Sequence, residues 1–559
     1  MTAMIEFGRS NGMSARVWVD RAMIAVSLAL VALAGVPRLP AGICYGDNGD
    51  LQLASVTLGI MHPPGYPAFT TLGYLITRLP GFNPAYWITL ACFASGLLGL
   101  WLAIMLQLRL GVHAAVACIT ALIFATHERF WTNVLAPEVY MPSMAMLGAA
   151  VYQLVKYRGT ARSGHLMLSA AFLGVAMANR PPMAMTVPFF VVAWWLIQKR
   201  QNIETSKCQK EEGKLRSVET SENRDKDFRD VASNCFRPLG LAAGCALLPI
   251  LYTLGYLWFR DTPTTAYNYI EQHNVSHELL PSVEEGWRAK ARRVLWQVTG
   301  EQFHGEFGYT LRGVRSKLRW LRDDLLFGRP ITLAAAALIV AAGAVRAFRR
   351  SPAAGWLLAG LAAHSIVFVL VYRVYGQAAD LLPLLFAATV FAGMGISIVV
   401  HRFTAHGAAI TLNGRFPARR EIGLWAVAAV IVAAVASGAE VSRRWSTGRN
   451  VDARTFLEQV DLPTFPENAI ICAEWTPAVP LWYAQQILTP RPDIYIVAGE
   501  YRQWDRLLRD NPDRPMFIIE SEWRFEGYRL EPYRNMWRIV PEAAMTPMRG
   551  GTSPDGGKE

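Results

Sequence analysis

Apolar residues in this chain come in long unbroken runs separated by short polar connectors. The first run extends from about Val17 to Val36, and later ones centre near Leu97, Ile119, Leu147, Ala171, Val191, Leu247, Leu338, Leu361, Val390 and Val430. A helix of roughly 20 apolar residues crosses a bilayer, so the pattern predicts an all-α polytopic membrane protein with about 11 transmembrane helices. Arg16 and Arg21 precede the first run in the manner of a signal peptide. With so many runs behind it, a retained anchor is the expectation.

Three stretches break the pattern. Residues 199–236 are polar, charged and poor in aromatics, and read as a disordered loop. Residues 259–329 form a long basic connector. From 446 to 545 the short apolar runs Ala469–Cys472, Ile494–Val497 and Met516–Ile519 alternate with helix-like stretches at Leu481–Leu488 and Trp504–Leu508. That alternation predicts a small C-terminal α/β soluble domain. No glycine-rich phosphate loop accompanies it, so nucleotide binding is not supported. The expected organisation is a transmembrane domain over 1–445, the soluble domain over 446–545 and a disordered tail over 546–559.

Charge placement fixes an orientation and excludes a partner. The chain has 559 residues, 52% hydrophobic and only 18% charged, with a net charge of +12. That charge does not indicate nucleic acid, because the Lys and Arg residues sit in connectors beside apolar runs, as the positive-inside rule describes. With the N-terminus in the cytoplasm, Arg9, Arg109, Lys156, Arg158, Arg346, Arg349, Arg402 and Arg419 fall inside, as do the basic residues between Lys199 and Arg237. The opposite side receives only Arg38, Arg78, Arg129, Arg180 and Arg373 in its shorter loops. The expectation is a multi-pass protein of the plasma (inner) membrane with its C-terminal domain on the non-cytoplasmic side. The seven cysteines show no metal or disulfide spacing, and Cys92, Cys118 and Cys245 read as packing residues.

The chemistry concentrates in the first external loop, residues 37–85. It contains Asp47-Asn48-Gly49-Asp50-Leu51 and then His62-Pro63-Pro64-Gly65-Tyr66-Pro67. Two carboxylates three residues apart are compatible with a simple helix cap. The stretch from Gln52 to Ile60 is short and amphipathic and suggests a helix lying on the membrane surface. The three prolines and glycine that follow predict a rigid turn holding His62 and Tyr66 in place.

The order of these elements resembles the signature of a family of protein O-mannosyltransferase-like multi-pass membrane proteins, which includes an animal enzyme acting on immunoglobulin-like receptor domains. Further pieces are similar and occur in the expected order: Glu138-Val139-Tyr140, Ala178-Asn179-Arg180, Asp380 with Pro383, Leu481-Trp482-Tyr483 and Arg491-Pro492-Asp493. Asp50 stands where the family commonly has Glu, and Asn48 where it has Ser. The resemblance implies a GT-C-like fold and a glycosyltransferase that takes a sugar from a polyprenyl phosphate and transfers it to a protein hydroxyl or envelope glycan on the outer side of the membrane.

On this reading Asp47 and Asp50 are the catalytic candidates, Asp47 as the base. His62, Arg180 and Arg373 are candidates to support the leaving phosphate. Glu138 and Asp380 would hold those cations or bind sugar hydroxyls, with Tyr66, Tyr140 and Asn179 beside them. Glu138 and Asp380 each read equally well as helix-start acids, while His113 and His364 read as packing or interfacial groups. No metal-ligand cluster is evident, so a divalent metal is compatible with the site but not indicated, and the lipid-linked sugar is the only small-molecule partner implied. Two other classes stay open, a transporter or lipid flippase and a non-catalytic envelope-assembly protein. The absence of a second copy of the Asp/His-Pro-Pro element weighs against the transporter.

Overall fold

A computed structural model describes residues 2–213, 223–277, 280–308, 310–326, 330–373, 377–410, 451–499, 501–520 and 522–542. Its first part is helical: α1 (Thr2–Gly35), α2 (Gly46–Thr57), α3 (Pro67–Ile76), α4 (Pro84–Arg109), α5 (Ala114–Ala125), α6 (Glu128–Thr132), α7 (Tyr140–Thr160), α8 (Ser163–Asn179), α9 (Val187–Gly213) and α10 (Asn223–Arg260). Then follow α11 (Tyr269–His277), α12 (Trp287–Thr299), α13 (Leu311–Leu326), α14 (Pro330–Arg350), α15 (Pro352–Val371) and α16 (Leu382–Ile410). A helix occupies every expected span from Val17 to Val390. Among the described residues, six segments are long and apolar enough to cross a membrane by length and composition: Val17–Arg38, Pro84–Arg109, Pro181–Ile203, Pro238–Arg260, Pro352–Val371 and Ala379–His401. The span expected near Val430 and the tail 546–559 lie outside the described residues.

Two connectors carry more structure than their composition suggested. Helices α9 and α10 extend into the inner loop as far as Gly213 and from Asn223, and its centre lies outside the described residues. The external stretch 259–329 contains α11, α12 and α13. It is organised around Arg293, which is fully buried and held by Asp261 (2.8 and 2.9 Å) and Glu271 (2.8 Å). A buried guanidinium persists only when its donors are met in this way, and short-range periodicity does not reveal partners 22 and 32 residues away.

Small residues let the membrane helices approach closely, as expected where apolar lipid offers no competing hydrophobic drive. On α14, Gly343 faces the Phe391 carbonyl of α16, and Gly395 of α16 faces the Ile339 carbonyl in return. Gly174 of α8 lies against the Ala246 carbonyl of α10 in the same manner. A methyl group at any of these positions would force the pair apart.

The C-terminal part contains α17 (Arg454–Val460), α18 (Trp475–Tyr483) and α19 (Tyr501–Asp510), and a five-stranded sheet in the order β2-β1-β3-β5-β4. Strands β1 (Ile470–Ala473), β2 (Tyr495–Ala498) and β3 (Met516–Ile518) are the three expected apolar runs, and they pair in parallel with Ile470 opposite Tyr495 and Met516. Strands β4 (Tyr528–Tyr533) and β5 (Met536–Pro541) add an antiparallel hairpin that the apolar-run pattern did not mark. Its strands alternate Arg529, Glu531 and Arg538 with apolar neighbours, because one face is solvated.

This sheet domain is not separate from the first loop. Tyr45 N–H donates to Val451 O (3.1 Å) and Ala453 N–H to Ile43 O (2.8 Å). One apolar cluster contains Ile43, Leu51, Leu53 and Ala54 of the loop together with Val479, Leu481, Trp482 and Tyr483 of α18. Helix α2 is therefore buried along Gly49–Val56, its apolar side chains covered by the protein itself. The polar Gln52 on that helix reflects satisfied burial: its amide donates to Gly42 O, Ala85 O and Thr89 Oγ1 and accepts from Cys44 N–H.

Candidate active site

Helix α2 begins at Gly46, so Asp47 lies in its first turn and Asp50 in the next. The helix thus begins before the Gln52–Ile60 stretch that suggested it, and the two acids on it differ in exposure. Asp47 is exposed, whereas Asp50 is 0% exposed. Asp50 accepts from His62 N–H (3.0 Å), approaches His62 Nδ1 at 2.5 Å and accepts from Tyr267 Oη (2.5 Å). Its carboxylate is taken up by these partners, and Asp50 is not among the residues lining the cavity beside the turn. Of the two catalytic candidates it is the one that bonds His62.

The turn after α2 aims His62. Pro63–Pro64 is a cis bond, Gly65 has φ +91° and Tyr66 φ +44°. Gly65 N–H donates to His62 O (2.8 Å), and Gln297 of α12 donates to Met61 O (2.6 Å). The His62 ring is thus clamped between Asp50 at Nδ1 and the Tyr66 hydroxyl, 3.4 Å from Nε2. Burial opposes charge on this imidazole, but Asp47 and the Asp50 hydrogen bond outweigh it and push the ring up to about 9.

A cavity of about 630 Å³ opens beside this turn. Asp47, His62, Tyr66, Glu138, Tyr140, Asn179, Arg180 and Asp380 all line it. Residues from the first loop, the start of α7, the end of α8 and the start of α16 therefore converge. Glu138 is placed by Asn48, whose amide donates to its Oε1 (2.9 Å) and to Pro137 O (2.7 Å). Burial and the neighbouring Asp47 push the Glu138 carboxyl up to about 7. Arg180 follows the last residue of α8, pairs with Asp380, and lies over the Tyr140 ring at 4.1 Å. Its Nε and the Asn179 Oδ1 are buried with no hydrogen-bond partner, a donor and an acceptor at the cavity wall.

Besides Asp50, a second expected residue is elsewhere. Arg373 is exposed and does not line the cavity. Its backbone N–H bonds Glu306 O (2.8 Å) and its guanidinium lies beside Gly308. The register of the chain turns Tyr372, its neighbour, inward instead. Sequence reasoning also missed the polar lining residues Arg129 and Asn133 and the apolar ones Met185, Val298, Phe303, Phe307 and Phe368. It missed Trp475, whose indole N–H donates to Asp47 Oδ1 (2.8 Å). Arg129 was counted for topology only, and no local signal marks Trp475, 428 residues from its partner. Among the described residues no group of three or more His, Cys, Asp or Glu side chains is arranged to hold a metal ion.

Long apolar helices, acids in the first loop and a small sheet domain closing over them define a polytopic membrane protein of the GT-C fold. The chain superposes on the structure of ArnT from Cupriavidus metallidurans bound to undecaprenyl phosphate with a TM-score of 0.52 and 14% identity, covering 95% of this chain and 99% of that one. The same protein in the apo state gives 0.53 and 14%, covering 94% and 98%. Residues 47–204 match the family described as "Protein O-mannosyl-transferase TMEM260 N-terminal domain". The mouse (Mus musculus) protein O-mannosyl-transferase TMEM260 is 30% identical over 183 residues, 32% of this chain and 26% of that protein. The resemblance read from the loop motif is borne out over this stretch, about a quarter of the length of the curated relative.

Proposed function

We propose that this chain is a membrane glycosyltransferase that moves a sugar from a polyprenyl-phosphate carrier to an acceptor hydroxyl on the non-cytoplasmic side. The observation that carries the reading is the cavity itself. Its lining combines charged side chains, Asp47, His62, Glu138 and Arg180, with apolar ones, Met185, Val298, Phe303, Phe307 and Phe368. An amphipathic donor, part lipid and part sugar phosphate, needs both. The expected orientation, N-terminus in the cytoplasm, puts this end of the helix bundle and the sheet domain outside. The 30%-identical relative named as an O-mannosyl-transferase makes a protein hydroxyl one acceptor class, a glycan the other.

The chemistry follows from the residues present. The acceptor oxygen attacks the anomeric carbon, the bond from that carbon to the phosphate oxygen breaks, and the polyprenyl phosphate leaves with the electron pair. Asp47 is the exposed carboxylate and takes the hydroxyl proton. The leaving phosphate gains negative charge, which the His62 imidazolium stabilises because it is already charged and already oriented. Asp50 keeps it so. Arg180 is tied to Asp380 and holds the floor of the cavity, where Asn179 Oδ1 and Arg180 Nε offer an acceptor and a donor to sugar hydroxyls. The test uses membranes containing the chain and a radiolabelled polyprenyl-phosphate sugar. Label passes to envelope protein or glycan with the wild type, and Asp47→Asn, inserted to the same level, transfers at less than about a hundredth of that rate. Equal transfer by Asp47→Asn refutes Asp47 as the base.

A further inference from the structure

The C-terminal domain reaches Asp47 through one side chain. Trp475 is the first residue of α18, which follows closely on the interior, fully buried strand β1. Its indole is half-buried, and its N–H donates to Asp47 Oδ1 at 2.8 Å. The ring has little freedom. It meets Tyr269 edge-on (centroids 5.2 Å, 84°) and Trp482 at 5.9 Å and 64°. Tyr269 is itself stacked on His273 and Trp296, and lies 6.3 Å from the His62 ring. Asp47, by contrast, is an exposed side chain at a helix start, and Trp475 is the side chain that donates a hydrogen bond to it.

We propose that Trp475 is a positioning residue: its indole N–H pins Oδ1 of Asp47 so that Oδ2 faces the acceptor hydroxyl, and the sheet domain thereby completes the active site. This rests on Asp47 being the base. An exposed carboxylate samples several rotamers, and holding a reacting group within a fraction of an ångström of its productive place is worth large factors in rate. Here the restraint comes from a ring locked between an external loop and the sheet domain. The acids of the first loop are therefore insufficient without residues 475–482.

The test compares Trp475→Phe with wild type as full-length protein in detergent. Phenylalanine keeps an aromatic ring toward Tyr269 and Trp482 and removes the N–H together with one ring of the indole. A hydrogen bond to a charged group is worth about 1.5–3 kcal/mol, so kcat is expected to fall roughly tenfold or more. KM for the donor stays within about twofold. An unchanged melting temperature separates positioning from loss of fold, and a lowered kcat beside a steady KM is the split that a purely structural role would not produce. Equal kcat overturns the proposal. A second readout needs no turnover: with 5-fluorotryptophan incorporated, the fluorine resonance that disappears in Trp475→Phe shifts between wild type and Asp47→Asn. If wild type transfers no sugar, the glycosyltransferase reading fails while this resonance still decides the contact. A resonance at position 475 that is the same in both proteins overturns it.

Discussion

Replacing Asp50 with Asn removes one negative charge and almost no volume, at a position with no exposure. In the wild type that charge and Asp47 lift His62 from the ordinary 6.5 to about 9 against the opposing effect of burial. At about 1.36 kcal/mol for each tenfold change in proton affinity, this is a linkage of roughly 3 kcal/mol. The folded value lies above the unfolded one, so this stabilisation is complete below pH 6.5 and is lost as pH rises through 9. With Asn at position 50 the ion pair goes and only a neutral acceptor is left beside the ring, so the His62 pKa falls from its raised value while Asp47 still opposes burial. Two measurements follow. Melting in detergent should decline between pH 6.5 and 9.5 in the wild type, and this decline should be smaller and begin at lower pH in Asp50→Asn. The basic limb of transfer activity should fall near pH 9 in the wild type and move to lower pH in the variant. An Asp50→Asn protein with the wild-type basic limb would show that Asp50 does not charge His62, and the assignment of the imidazolium to the leaving phosphate would fail with it.

Other variants separate folding from chemistry. Arg180→Met strands Asp380, 3% exposed, without its partner; breaking a buried pair costs about 3–5 kcal/mol. Lower yield and a lower melting temperature are expected, and the double variant Arg180→Met/Asp380→Leu should recover both without recovering transfer. Gly49 faces Cys44 O and Val479 of α18, so Gly49→Val should prevent the sheet domain from docking on α2, seen as protease sensitivity of residues 451–542 while the membrane helices stay intact. Arg373→Ala, at a side chain outside the cavity, should leave donor KM and kcat within about twofold.

How much was legible differs between helices, loops and site. A membrane helix satisfies its own backbone, so a local apolar run announces it. The runs from Val17 to Val390 are helices for that reason. The three parallel strands were equally plain, since strands buried on both faces read as continuous apolar stretches. The hairpin of β4 and β5 was not, because half its side chains are in water. Neither was the order within 259–329, where the ordering contacts (Arg293 with Asp261 and Glu271, Gln297 with Met61 O) join residues far apart in the chain.

The site divides along the same line. From the sequence alone came the motif, its rigid proline turn, and the gathering of Asp47, His62, Glu138, Arg180 and Asp380 at one end of the bundle, because apolar runs and charge placement are local quantities that count alternate crossings. Only the tertiary structure decided which acid faces the cavity. Asp47 and Asp50 are three residues apart on one helix and look equivalent in the chain. Their different lives follow from what packs against each: His62 and Tyr267 close over Asp50, while Trp475 reaches Asp47 from the far end of the sequence and leaves it open. Burial and hydrogen-bond partners are properties of neighbours in space, and those neighbours lie up to 428 residues away.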